Sequence, residues 1–139
     1  MAVVFSLAYA GFTLMIPDVR NHAAEVSVFK VWGVFVSAIG AIVEETVFRG
    51  FILTELEGLR RSTRVQVIVS GVTFGLLHIG FSWWGMVCTT LMGMVLAITF
   101  LWSGRSLFAP IVGHCLINII IEPWLLLHMI TFYARMFST

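Results

Sequence analysis

Long apolar runs joined by short links are the feature that most limits how this chain can fold. The runs span Ala2 to Ile16, Val26 to Leu56, Val65 to Phe81, Trp83 to Trp102 and Leu107 to Phe132. A bilayer crossing needs roughly 20 apolar residues of helix. The first run is short for a crossing, and it lacks the basic start and small-residue cleavage pattern of a signal peptide, so a retained helix is expected. The second and fifth runs exceed one crossing. The second should tilt, extend past the membrane or break near Gly40 or Gly50, and the fifth should kink at Pro123. The expected fold is all-α, a polytopic transmembrane bundle of about five helices.

Composition supports that solvent. Hydrophobic residues make up 60% of the 139 residues and charged ones only 11%, and mean hydropathy is +1.03, far from a water-soluble domain. A net charge of +1 without basic blocks removes the electrostatic basis for nucleic-acid binding. Cys88 and Cys115 fall inside apolar runs, where a thiol acts as a small hydrophobe. Trp83, Trp84 and Trp102 lie near run ends and read as an interfacial belt. The Gly71 to Gly75 spacing, with Gly85 and Gly93, is a helix-packing signal.

Arg60, Arg61 and Arg64 follow the second run and Arg105 follows the fourth. In a five-span chain these links share one side, which the positive-inside rule makes cytoplasmic. The amino terminus is then inside and the Pro17 to Glu25 link outside, with Arg20 and Arg135 opposing the bias. Asp18, His22 and Glu25 in that link need no role beyond solvation.

Polar side chains interrupt hydrocarbon at four places: Glu44 with Glu45, Arg49, His78, and His114 with Asn118. Each ionisable group at a bilayer centre costs roughly 2.5 to 3.5 kcal/mol on insertion scales. Any one alone reads as interhelical hydrogen-bonding glue. Together they make a kit for general-base and oxyanion chemistry. Glu45 and Arg49 are four residues apart and in the better order for an ion pair. Glu44 is rotated by about 100° from Glu45 and must face something else. His114 and Asn118 share a face, as do Phe74 and His78. Glu122 and His128, in the fifth run, carry no assignment.

The ordered motifs Glu44-Glu45-Thr46-Val47-Phe48-Arg49, Phe74-Gly75-Leu76-Leu77-His78 and His114-Cys115-Leu116-Ile117-Asn118 resemble EExxxR, FxxxH and HxxxN. The chain is thereby similar to the CAAX prenyl protease and bacteriocin-processing (CPBP, or Abi) family of intramembrane peptidases. The resemblance runs from Trp32 to Trp124, making residues 32–124 the catalytic core between an N-terminal segment, 1–31, and the helix end, 125–139. Family members commonly carry more helices around this core.

The resemblance implies a conical active-site cavity and peptide-bond hydrolysis near the membrane surface, in a multi-pass protein expected in a prokaryotic plasma membrane. Glu44 would activate water with help from His78, His114 and Asn118 would hold the oxyanion, and Glu45, Arg49 and Phe74 would support the site. The family has long carried a metallopeptidase label. Zinc on Glu44, His78 and His114 is the metal-dependent version, yet HExxH is absent and a metal-free, glutamate-dependent reaction is expected. Prenylated C-a-a-X peptides, leader peptides and membrane-anchored peptides all suit the chemistry, with membrane lipid as the other partner. The alternatives are an ion or proton transporter, for which inverted repeats are lacking, and a non-catalytic immunity or scaffold protein, against which the intact motif set argues.

Overall fold

The computed structural model describes residues 28–81 and 83–118, and every regular element among them is helical. The first apolar run, the Pro17 to Glu25 link, Arg20, Glu122, Pro123, His128 and Arg135 lie outside the described residues.

The second run is one helical rod whose pitch changes partway. Helix α1 (Val28–Glu45) passes into a π-helical stretch, Thr46–Ile52, and then into α2 (Leu53–Gly58). Glu45, Ile52 and Leu53 at the junctions all keep right-handed helical angles. The run therefore continues through Gly40 and widens around Gly50 without breaking. A π turn takes an extra residue, so it rotates the following side chains relative to an unbroken α-helix.

The third run is shorter than its hydropathy suggests. Helix α3 (Thr63–Leu77) starts at the cap Ser62, whose hydroxyl accepts from the Val65 amide, and it stops at His78, followed by a 3-10 turn, Ile79–Phe81. His78 is thus the C-terminal cap and not a mid-helix residue. Helix α4 (Trp83–Trp102) fills its predicted run. Helix α5 begins at Phe108 and is described to Asn118. Among the described residues, α4 is the one helix long and apolar enough to cross a membrane by itself. Helix α1 has the length, but it carries Lys30, Glu44 and Glu45.

The two arginine-bearing links meet at one end of the molecule, as expected of links on one side. Arg60 takes a left-handed φ of 54° and closes α2 with amide bonds from Arg60 to the Glu57 carbonyl and from Arg61 to the Leu56 carbonyl. Arg105, at φ 64° after Gly104, donates to Gln66 at 3.1 Å and pairs with Glu57 at 3.0 Å. Gln66 in turn donates to the Arg61 carbonyl at 2.9 Å.

Helices α3 and α4 approach along glycines. A Cβ at Gly75 would run into the Thr90 side chain, one at Gly71 into Met94, and one at Gly93 would lie 3.0 Å from both the Gly71 Cα and the Phe74 Cβ. The Gly71 to Gly75 spacing therefore marks a real packing seam. Above and below it, Phe48, Phe74, Met92, Leu96 and Ile117 form one core cluster and Leu53, Ala97 and Phe100 another.

Polarity runs opposite to that of a water-soluble protein. Ser37, Glu45, Arg49, Gln66, Ser70, Thr89, Thr99 and His114 are buried, while Trp32, Phe35, Ile39, Val43, Phe51, Ile68, Leu76 and Trp83 are exposed. Hydroxyls of Ser37, Thr46, Thr73, Thr89 and Thr90 donate to carbonyls four residues back in their own helices. That satisfies a hydroxyl without water, which hydrocarbon requires.

Candidate active site

The last turn of α1 delivers two carboxylates on adjacent residues, and the π turn after it delivers a guanidinium. Arg49 Nη1 donates to Glu45 Oε1 at 2.9 Å with both side chains fully buried, the pair expected from their spacing. Arg49 Nη2 continues to the Gly93 carbonyl on α4 at 2.8 Å. Its guanidinium carbon lies 5.0 Å from the Phe74 ring centre and 5.8 Å from that of Phe48. One cation thus ties α1, α3 and α4 together.

Helix α5 enters through His114. Its Nδ1 lies 2.8 Å from Glu45 Oε1, and its Nε2 lies 3.8 Å from Glu44 Oε2. A carboxylate already paired with arginine can only accept, so Nδ1 carries a hydrogen and donates it. Glu44, 34% exposed in its side chain, is then the carboxylate on the open side of the imidazole. The separation is too long for a direct hydrogen bond, and a water at hydrogen-bonding distance from both atoms fits beside the pair. This is the "something else" that rotation away from Arg49 required of Glu44.

Phe74 is the common floor of the site. Its ring centre is 4.7 Å from that of His78 and 5.7 Å from that of His114, the latter edge-on, and it meets Phe48 edge-on at 5.1 Å. His78 is half-buried, and its Nδ1 donates to the Phe74 carbonyl at 2.8 Å, because a carbonyl can only accept. The neutral ring then keeps its lone pair on Nε2. Asn118, one turn beyond His114, donates from Nδ2 to the Ser37 carbonyl at 3.4 Å. That long bond uses one of its two amide hydrogens.

The structure thus brings Glu44, Glu45, Arg49, Phe74, His78 and His114 into one connected cluster, with Asn118 attached one turn away. Sequence spacing found the Glu45–Arg49 pair and the shared faces. It missed the Glu45–His114 bond, the Gly93 carbonyl and the Ser37 carbonyl. The Gly71 to Gly75 signal pointed at the seam holding Gly93, but a backbone acceptor has no side-chain signature.

A three-ligand zinc site on Glu44, His78 and His114 does not fit the described arrangement. Among the described residues no three His, Cys, Asp or Glu side chains gather to hold a metal ion. Each imidazole has already committed Nδ1, to Glu45 or to the Phe74 carbonyl.

A helical chain with apolar outside, polar inside and a carboxylate–imidazole cluster between three helices has the makings of a membrane-embedded hydrolase. The family model described as type II CAAX prenyl endopeptidase Rce1-like matches residues 26–120, and the chain belongs to that family of membrane-embedded CAAX-type endopeptidases. No curated protein matches the chain, and no solved structure does.

Proposed function

We propose that this chain cleaves a peptide bond in a prenylated CAAX-type, leader or membrane peptide, as a polytopic endopeptidase of about five membrane helices. The observation that carries the reading is the imidazole of His114 held between two carboxylates, one buried and paired, the other partly exposed. Inverted polarity and the apolar α4 support a bilayer as solvent. The shared position of the two arginine links supports a cytoplasmic assignment for that end, with a prokaryotic plasma membrane as the location.

In this reading Glu44 takes a proton from a water molecule, whose oxygen attacks the scissile carbonyl carbon. His78 presents Nε2 and assists as a second proton acceptor. His114 and Asn118 stabilise the oxyanion of the tetrahedral intermediate, and Glu45 and Arg49 hold His114 in place. Every step is assigned to side chains of the chain itself.

The test is incubation of purified Glu44→Gln and wild-type protein with a farnesylated C-a-a-X peptide and with a leader peptide. Wild type should cleave at least one, and the variant should lose at least about 100-fold in rate while melting like wild type. A folded variant that retains full cleavage would remove Glu44 from the chemistry.

A further inference from the structure

The hydrogen on His114 Nδ1 is committed to Glu45, and this restricts what the ring can do. A neutral imidazole has one N–H. With that hydrogen held by a buried acceptor, Nε2 carries a lone pair and faces Glu44 Oε2 at 3.8 Å. In that state His114 has no hydrogen on Nε2 to give an oxyanion.

We propose that Glu45 is a positioning residue that locks His114 as the Nδ1–H tautomer, so that His114 becomes an oxyanion donor only after receiving the proton taken from water. The proposal rests on the peptidase reading and refines its order of events. Glu44 breaks an O–H bond of water and keeps the proton as the water oxygen bonds to the carbonyl carbon, whose π electron pair moves onto oxygen. The proton then passes from Glu44 to the Nε2 lone pair. Contraction by about 1 Å, or relay through a water, gives it a hydrogen-bonded path. Glu44 is again a carboxylate, and His114 is an imidazolium with both nitrogens donating. Its Nε2–H now stabilises the oxyanion. As the oxyanion collapses and the C–N bond breaks, the departing nitrogen takes the Nε2 proton, giving a carboxylic acid and an amine. The donor exists only while negative charge exists on the intermediate, which is selective stabilisation of the transition state over the substrate.

Glu45 suits the task because it is immobile. Oε1 accepts from both Arg49 and His114, and its side chain is fully buried. Around the ring stand Glu44 and Glu45 from α1, Arg49 from the π turn, and the Phe74 ring from α3 with His78 on its other contact.

The test is nitrogen NMR of histidine-labelled full-length protein in detergent or bilayers, with His114→Gln used to assign the resonance. At the pH where the enzyme works, the resting ring should be the neutral Nδ1–H tautomer, and Glu44→Gln should leave it so. A resting Nε2–H tautomer, or a resting imidazolium, would overturn the proposal. Glu45→Gln should shift the ring toward Nε2–H, and Glu45→Asp, which keeps the charge, should restore Nδ1–H in part. If Glu45→Gln does not fold, the wild-type spectrum alone decides the tautomer. For the proton transfer, a farnesylated peptide and its analogue with an ester at the scissile bond are compared in Glu45→Asp. The amide should lose about 100-fold and the ester under about 10-fold, since an alkoxide depends less on protonation during departure than an amine does. Equal losses would overturn the leaving-group step. A locked tautomer in a protein that cleaves neither amide nor ester would instead sink the peptidase reading and leave the tautomer lock standing.

Discussion

His114 Nδ1 lies 2.8 Å from Glu45 Oε1 across 69 residues of chain, and the same oxygen accepts from Arg49. Three groups that are each costly in hydrocarbon thereby satisfy one another. Removing one leaves the others buried and uncompensated, which costs far more than the intact cluster gains.

Arg49 therefore gives the sharpest stability prediction. Arg49→Leu should destabilise the protein by about 3–5 kcal/mol, because the Glu45 carboxylate loses its cation and the Gly93 carbonyl its donor. Arg49→Lys keeps the charge but not the planar fork that reaches Glu45 and Gly93 together, so its loss should be smaller, about 1–3 kcal/mol. Unfolding of the purified variants in mixed detergent, followed by circular dichroism, measures both. Equal stability of the leucine variant and wild type would contradict the argument.

The two adjacent glutamates should behave oppositely. Glu44 is partly exposed, and its nearest described charged partner stands 3.8 Å away. Glu44→Gln should change stability by no more than about 0.5 kcal/mol. Glu45→Gln puts an amide at a fully buried position between Arg49 and His114 and should cost at least about 2 kcal/mol. The same unfolding assay applied to both variants reads the contrast, and a reversed order would show the site to be misdrawn.

How much of this was legible in the sequence depends on how local each relation is. The Glu45–Arg49 pair and the Phe74–His78 face follow from helical spacing alone, since four residues return to the same side. The extent of α4 follows from its unbroken apolar run. The Glu45–His114 bond does not, because hydropathy fixes which segments are helices but not their rotation. Here a π turn at Thr46–Ile52 resets the rotation of all that follows on that rod. The end of α3 at His78 was equally hidden, since the residues after it stay apolar in a 3-10 turn. Asn118 shares a face with His114 as read, yet its reach to Ser37 depends on how α5 leans on α1.

The glycine seam separates packing from propensity. Gly93→Ala would push a methyl group onto the Gly71 backbone and the base of Phe74, so a loss of about 1–3 kcal/mol is expected. Cleavage should fall as well, because Phe74 floors both imidazoles. Gly40 has open space where a Cβ would go and lies inside α1. Gly40→Ala should therefore be neutral or stabilising by up to about 1 kcal/mol. Parallel measurement of unfolding and peptide cleavage for the two variants tests this, and a destabilised Gly40→Ala would mean that something covers that face.

The last prediction concerns which end faces the cytoplasm. Arg105 joins the α4–α5 link to Glu57 and Gln66, so the two links must lie on the same side of any membrane the bundle crosses. Ser62 and Ser106 are both exposed there, and each accepts substitution at the cost of one weak cap bond, 3.5 Å and 3.4 Å long respectively. With Cys88 and Cys115 replaced by alanine, Ser62→Cys and Ser106→Cys should react with a membrane-impermeant thiol reagent only when it is offered from the cytoplasmic side. Arginine at Arg60, Arg61, Arg64 and Arg105 sets that direction through the positive-inside bias. Labelling of the two sites from opposite sides would contradict the Arg105 contacts themselves. Labelling of both from outside would keep the fold and invert its orientation, moving the cluster's approach route to the other compartment.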